Sequence, residues 1–166
     1  HFTPELLARL QALGIGWATV TLDVGPGTFR PVNAADVRAH IMHEERYEIS
    51  QATAAAIART RASGGRVIAV GTTTLRAMED AAAGAADGSV QATSRRTSLF
   101  IHPPYRVTTA DALITNFHLP RSTLLMLVST FGGTERIRAA YEDAIRLRYR
   151  FYSFGDAMYV ERAEDV

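Results

Sequence analysis

The stretch RVIAVGTTTLRAME, Arg66 to Glu79, passes from an apolar run through one glycine into three threonines and then helix-forming residues. RVIAV (66–70) has the short, continuous apolar pattern of a buried strand. Gly71 breaks the run, and TTTLRAMEDAAAG reads as a helix. A strand that passes directly into a helix is the repeating unit of an α/β domain. The same pattern recurs at ALIT (112–115), which leads through NFHLPRS into the apolar run LLMLV (124–128).

The segments around these two units extend the alternation. Thr3-Pro4-Glu5 carries a hydroxyl cap, a proline for the first helical position and an acid near the positive end of a helix dipole. Leu6, Leu7, Leu10 and Leu13 follow at helical spacing, and Gly14 can supply a left-handed ending. WATVTLDV (17–24) alternates as a strand does, and GPGTFRPV (25–32) ends it in a loop. A short helix is expected over 33–42, capped by Asn33, and a short extended piece at 47–49. Ser50 caps the helix SQATAAAIARTRAS, which Gly64-Gly65 closes. The Gly-, Ala-, Asp- and Ser-rich stretch from Gly84 to Ser98 reads as an exposed loop, and SLFI (98–101) as a strand. Thr134 is expected to cap a last helix with Ile137, Tyr141, Ala144 and Ile145 on one face, and AMYV (157–160) to form a final strand. Alternating strands and helices predict an α/β domain with largely parallel strands and a site at their carboxyl ends. Residues 1–166 read as one such domain, without internal repeats or a dividing linker.

Composition narrows the chemistry. The chain has 166 residues, 47% apolar and 21% charged, which suits a folded globular domain rather than a disordered one. It has no cysteine, which excludes disulfides, thiolate metal sites and a cysteine nucleophile. All 18 Lys-or-Arg positions are arginine, so no lysine is present to form a Schiff base. The formal net charge of +1 gives no composition-wide signal for nucleic acid, and RNA contact would need local arginine clusters. No apolar run reaches membrane-span length, and the first residues do not have the pattern of a secretory signal. HFTPELL enters a helix at once, which raises the expectation of a fragment of a longer protein.

Several segments carry more polar groups than a turn requires. In VGTTTLR, amides at a helix start and threonine hydroxyls make an anion pocket, and Arg76 stands against the helix dipole. Local pairing of Arg76 with Glu79 or Asp80 is the alternative. In LDVGPG, Asp23 ends a strand, and Gly25 and Gly27 allow close backbone approach to a ligand. AHIMHEERYE offers His40, His43, Glu44 and Glu45, but H-x-x-H-E is not the metalloprotease helix pair, so no metal is expected. In TNFHLPRS, Asn116 and His118 precede Pro120, which enforces an extended approach. Ser122 can cap the helix that follows, and His118 can titrate near neutrality. Asp156 in SFGDAM is a further candidate.

VTLDVGPGTFRPV, RVIAVGTTTLRAME, DALITNFHLPRSTLLMLVSTFGG and YRFYSFGDAM, in this order and spacing, resemble the S-adenosylmethionine:tRNA ribosyltransferase-isomerases of queuosine biosynthesis. The resemblance covers almost the whole chain and corresponds to the C-terminal portion of that family. It implies the larger α/β domain of the family, incomplete at the N-terminus, with the β-rich smaller domain absent. It also implies a cytoplasmic enzyme that takes the ribosyl part of S-adenosylmethionine to an aminomethyl-deazaguanine at the tRNA wobble position. The sugar is rearranged to give epoxyqueuosine, while adenine and methionine leave. S-adenosylmethionine is then a substrate, with no other cofactor, and the tRNA anticodon loop is the partner.

On this chain, the resemblance suggests His118 or His43 as general base. Asn116 would orient a sugar or base edge, and Asp156 would face the sulfonium or the amine. Gly71, Thr72, Thr73 and Arg76 would hold the methionine carboxylate or a tRNA phosphate. The family's usual L-H-V-G has Asp23 in place of its histidine here, with Gly25 and Gly27 beside it. A divergent relative using another sugar donor or acceptor, or a non-catalytic RNA-binding module, is the competing reading.

Overall fold

The computed structural model describes residues 1–25, 40 and 42–164. Most of the helix expected over 33–42, Gly27 and most of the 25–32 loop lie outside the described residues, and His40 and Met42 at the end of that span are not helical. Among the described residues, five helices and six strands run in the order α1 (Pro4–Ala12), β1 (Val20–Asp23), β2 (Glu45–Ile49), α2 (Gln51–Ala62), β3 (Ile68–Val70), α3 (Thr72–Ala82), β4 (Thr93–Thr97), β5 (Ala112–Asn116), α4 (Thr123–Gly132), α5 (Thr134–Arg146) and β6 (Ala157–Glu161).

The helix ends follow the local chemistry. The Thr3 side chain accepts from Leu6 N above Pro4 at the first turn, and Ser50 accepts from Thr53 N. Ser122 accepts from Leu125 N at 3.1 Å and donates to Leu119 O at 2.8 Å, which seals the start of α4. Thr134 does not cap the last helix. Gly133, at φ +86°, takes that position without a side-chain bond, and Thr134 is the first helical residue. Ile137 and Ala144 of α5 are buried, whereas Ile145 is 66% exposed. At 100° per residue, position 145 has already turned off the inward stripe.

The strands form two three-stranded sheets, β1-β2-β4 and β3-β5-β6. The expectation of largely parallel strands is corrected: β3–β5 is parallel, and the other three pairings are antiparallel. β4 is TSRRT (93–97), inside the segment read as loop, and SLFI (98–101) is not a strand. Its polar residues suit an edge strand whose backbone pairs with β2 while most of its side chains face solvent. β3 is buried on one face only: Ala69 is inside, while Ile68 and Val70 are 43% and 45% exposed.

One apolar core joins the two sheets. Tyr47 and Ile49 of β2 belong to the same buried cluster as Leu75 and Met78 of α3, Leu113 of β5, Val128 and Phe131 of α4, and Val160 of β6. Gly132 lies where a Cβ would come within 2.6 Å of Val160 Cγ1, so the α4–α5 corner can press directly onto β6. α3 contacts strands of both sheets and occupies the centre of the molecule.

Candidate functional site

β3 and β5 lie side by side and parallel, so their carboxyl ends deliver two polar segments to one edge of the sheet. Gly71 follows β3 and donates its N–H to Ile114 O at 2.8 Å, which ties the two exits together. Its φ of +92° is a backbone conformation that L side chains rarely adopt. No side chain caps α3, so its first amides, with Thr72 and Thr73, form the positive end of the helix dipole. Asn116 ends β5, and residues 117–122 lead from it to α4, with Arg121 held at φ +57°.

The starts of α3 and α4 face each other across a crevice. Thr72, Thr73 and Arg76 line one side, Thr123, Leu124 and Leu127 the other, with Met42 and Leu99–Ile101 completing it. Its volume of about 10 Å³ is room for a single water. A larger hollow of about 410 Å³ lies at the opposite, amino end of β3 and β5, where Arg66, Arg106 and Arg162 alternate with Asp111, Glu161 and Glu164. Opposite charges intersperse there, so the hollow has no single-sign field, and the carboxyl-end site holds the sequence-derived candidates.

Arg76 is buried and pairs with Glu45 of β2, not with Glu79 or Asp80 one turn on. Burial pushes its guanidinium below the usual arginine range, and the Asp80 charge works the other way. Glu79 is 3% exposed and accepts Tyr105 OH at 2.9 Å, Thr108 N at 2.9 Å, and Thr109 N and Oγ1 at 2.7 and 2.6 Å. Asp80 accepts Tyr47 OH at 2.5 Å, Arg95 Nε at 2.7 Å and Thr97 Oγ1 at 2.9 Å. Desolvation, reinforced by Asp80, raises the Tyr47 phenol to about 12.

His118 is half-buried. Its Nε2 lies 2.9 Å from Thr115 Oγ1, and its backbone N–H donates to Tyr141 OH at 2.8 Å. Burial depresses the imidazole to about 4, so it is neutral at pH 7. Phe117 packs edge-on against Tyr141 and Tyr149 and beside Phe151, an aromatic clamp that fixes the 116–118 backbone. Asn116 Nδ2 donates to Asp156 O at 3.2 Å and lies 3.5 Å from His1 Nε2.

Asp156 closes its own turn. Its carboxylate takes Arg150 N and the Arg150 guanidinium, both at 2.7 Å, and the Arg150 bond holds it below the usual carboxylate range. Gly155 makes that turn possible, since a Cβ there would stand 2.3 Å from Arg150 O. Asp23 is exposed on β1 opposite Arg46, Gly25 follows two residues later, and His43 is exposed just before β2. The structure therefore gathers Gly71, Thr72, Thr73, Arg76, Asn116 and His118 around the exits of β3 and β5, with Asp156 joined through Asn116. His43, Asp23 and Gly25 belong to the flanks of the antiparallel sheet. Among the described residues no group of three His, Cys, Asp or Glu could hold a metal ion. Thr115 and Tyr141 were not among the sequence candidates, and Glu45 was read only within the His40–Glu45 cluster, not as the partner of Arg76. The Thr115–His118 spacing of three residues was the one local signal, because the other two partners are far away in sequence.

The topology defines an α/β domain with its polar loops at the carboxyl ends of two adjacent parallel strands. The family model for "Queuosine biosynthesis protein" matches residues 1–160, and the chain belongs to that family. It is 60% identical over 163 residues to the S-adenosylmethionine:tRNA ribosyltransferase-isomerase of Thiobacillus denitrificans, covering 98% of this chain and 46% of that one. The counterpart in Dechloromonas aromatica is 59% identical over 162 residues, with the same coverage. A crystal structure of S-adenosylmethionine tRNA ribosyltransferase from Thermotoga maritima superposes with a TM-score of 0.76 at 42% identity, covering 95% of this chain and 49% of that one. The chain thus spans about half the length of the relatives it matches.

Proposed function

We propose that this chain carries part of the catalytic machinery of a tRNA-modifying transferase-isomerase. The enzyme would move the ribosyl moiety of S-adenosylmethionine to an aminomethyl-deazaguanine at the wobble position and rearrange it to epoxyqueuosine. The observation that carries this reading is the convergence of Gly71-Thr72-Thr73 and Asn116–His118 at the exits of two adjacent parallel strands. The uncapped start of α3 suits the methionine carboxylate or a phosphate. Arg76 supports that region from its buried pair with Glu45. Asn116, fixed to the 155–156 backbone, suits a sugar or base edge. His118 and His43 are the imidazoles assigned to this chemistry, and Asp156 and Asp23 the carboxylates. The tRNA anticodon loop is the proposed macromolecular partner, and among the described residues no helix is long and apolar enough to cross a membrane.

The test is release of labelled adenine from S-adenosylmethionine in the presence of hypomodified tRNA, run on this chain and on the full-length Thiobacillus denitrificans relative. Adenine release that depends on tRNA is expected of the chemistry. Sugar transfer to a different acceptor would replace this reading with the divergent-enzyme one. Salt-sensitive tRNA binding without turnover in either protein would replace it with a binding module.

A further inference from the structure

The Thr115–His118 contact determines which nitrogen of His118 carries the proton. Thr115 is 7% exposed, and its hydroxyl lies 2.9 Å from Nε2. Among the described residues the hydroxyl has no other hydrogen-bond partner. A hydroxyl has one proton and a neutral imidazole one N–H, so only one of them donates in this contact. If Nε2–H donated, the hydroxyl proton would be buried without an acceptor, a loss of about 1–3 kcal/mol. If the hydroxyl donates, the Nε2 lone pair is satisfied and the imidazole proton resides on Nδ1. Among the described residues no buried side-chain nitrogen or oxygen is without a partner, so Nδ1, which bonds to none of them, reaches solvent.

We propose that Thr115 is a positioning residue that holds His118 as the Nδ1–H tautomer, so that His118 meets its ligand as a neutral hydrogen-bond donor and not as the general base. The ligand atom is then a lone-pair oxygen or nitrogen of a nucleoside, such as a sugar oxygen or a purine ring nitrogen. The tautomer rests on the geometry alone, and the ligand class rests on the function proposed above. The backbone bond from His118 N to Tyr141 OH and the extended approach before Pro120 fix the main chain from which the ring projects toward Thr115. With Nε2 occupied by a donated bond, abstraction of a substrate proton would first require Thr115 to let go. Under this assignment proton abstraction falls to another group, and His43 is the remaining imidazole candidate.

Long-range proton–nitrogen correlation spectra of the ¹⁵N-labelled 166-residue chain read the tautomer with no ligand present. The parent is expected to show a protonated Nδ1 and an unprotonated Nε2 at His118. Thr115→Ser is expected to keep this pattern and Thr115→Val to move the proton toward Nε2. A parent spectrum with the proton on Nε2, or a Thr115→Val spectrum identical to the parent, overturns the proposal. In the adenine-release assay, His118→Asn, which places an amide N–H near the Nδ1 position, should retain activity within about tenfold of the parent. His118→Ala should lose about 100-fold or more. Equal losses in the two variants would overturn the donor role. Absence of adenine release in both this chain and the full-length relative would instead count against the proposed function and leave the spectra to decide the tautomer.

Discussion

Glu79 accepts both the backbone N–H and the hydroxyl of Thr109, at 2.7 and 2.6 Å, across 30 residues of sequence. With Thr108 N on the same oxygen and Tyr105 OH on the other, the buried carboxylate organises the whole 105–109 turn. Glu79→Gln keeps an acceptor oxygen and should cost about 1–2 kcal/mol, the difference between charged and neutral hydrogen bonds. Glu79→Leu leaves four donors unmet and should cost at least about 3 kcal/mol. Urea denaturation of both variants checks the order, and equal losses would contradict it.

The Arg76–Glu45 pair joins α3 to β2 in a water-poor setting. Removing the carboxylate takes the ion-pair partner from the buried Arg76 guanidinium, so Glu45→Ala should lose about 3–5 kcal/mol. The pair Glu45→Leu with Arg76→Leu should lose much less than the sum of the single changes. A double-mutant cycle measures this coupling, and strict additivity would mean that the two side chains do not depend on each other.

His118 links folding to acidity. Its depressed folded value of about 4 lies below the usual 6.5, so the unfolded chain binds the proton more readily. The stability it contributes is complete above about pH 6.5 and is lost as pH falls toward 4, on the order of 3 kcal/mol in all. Comparing the parent with His118→Asn across pH 4–7 isolates this contribution from the carboxylates. A stability difference that stays constant over that range would rule the linkage out.

Gly155 tests how Asn116 is held. A Cβ there meets Arg150 O at 2.3 Å and Phe151 O at 2.5 Å, and backbone cannot give way as a side chain can. Gly155→Ala should therefore open the Arg150–Asp156 turn and release the Asn116 amide. Loss of amide protection at Asp156 and Gly155 in hydrogen exchange, with the β2–β4 pairing unaffected, is the expected pattern. Protection unchanged at those amides would show that the turn has more room than its backbone contacts indicate.

Local chemistry made much of the fold readable. Thr3, Ser50 and Ser122 announce three helix starts, and the apolar runs before Gly71 and Asn116 announce the parallel pair. β4 was hidden because an edge strand can be almost entirely polar, and TSRRT carries no alternating apolar signal. The candidate residues at the two strand exits were legible from their polarity beside apolar runs. Their partners were not: Glu45 lies 31 residues from Arg76, and Tyr141 23 residues from His118. Helix-neighbour reasoning pointed Arg76 toward Glu79 and Asp80, which the fold uses elsewhere.

The apolar side chains that α3 buries are Leu75 and Met78 with three alanines, Ala77, Ala81 and Ala82. Apolar burial is non-directional, so by itself it fixes a helix's rotation about its own axis less tightly than directional bonds do. Here Arg76, Glu79 and Asp80 reach to β2, to the 105–109 turn and to β4, and each bond is directional. The helix is therefore keyed in rotation as well as in place, so the direction in which Thr72 and Thr73 point is set two turns away from them. Changes at Glu79 or Asp80 would re-aim the strand-exit site without touching anything bound there.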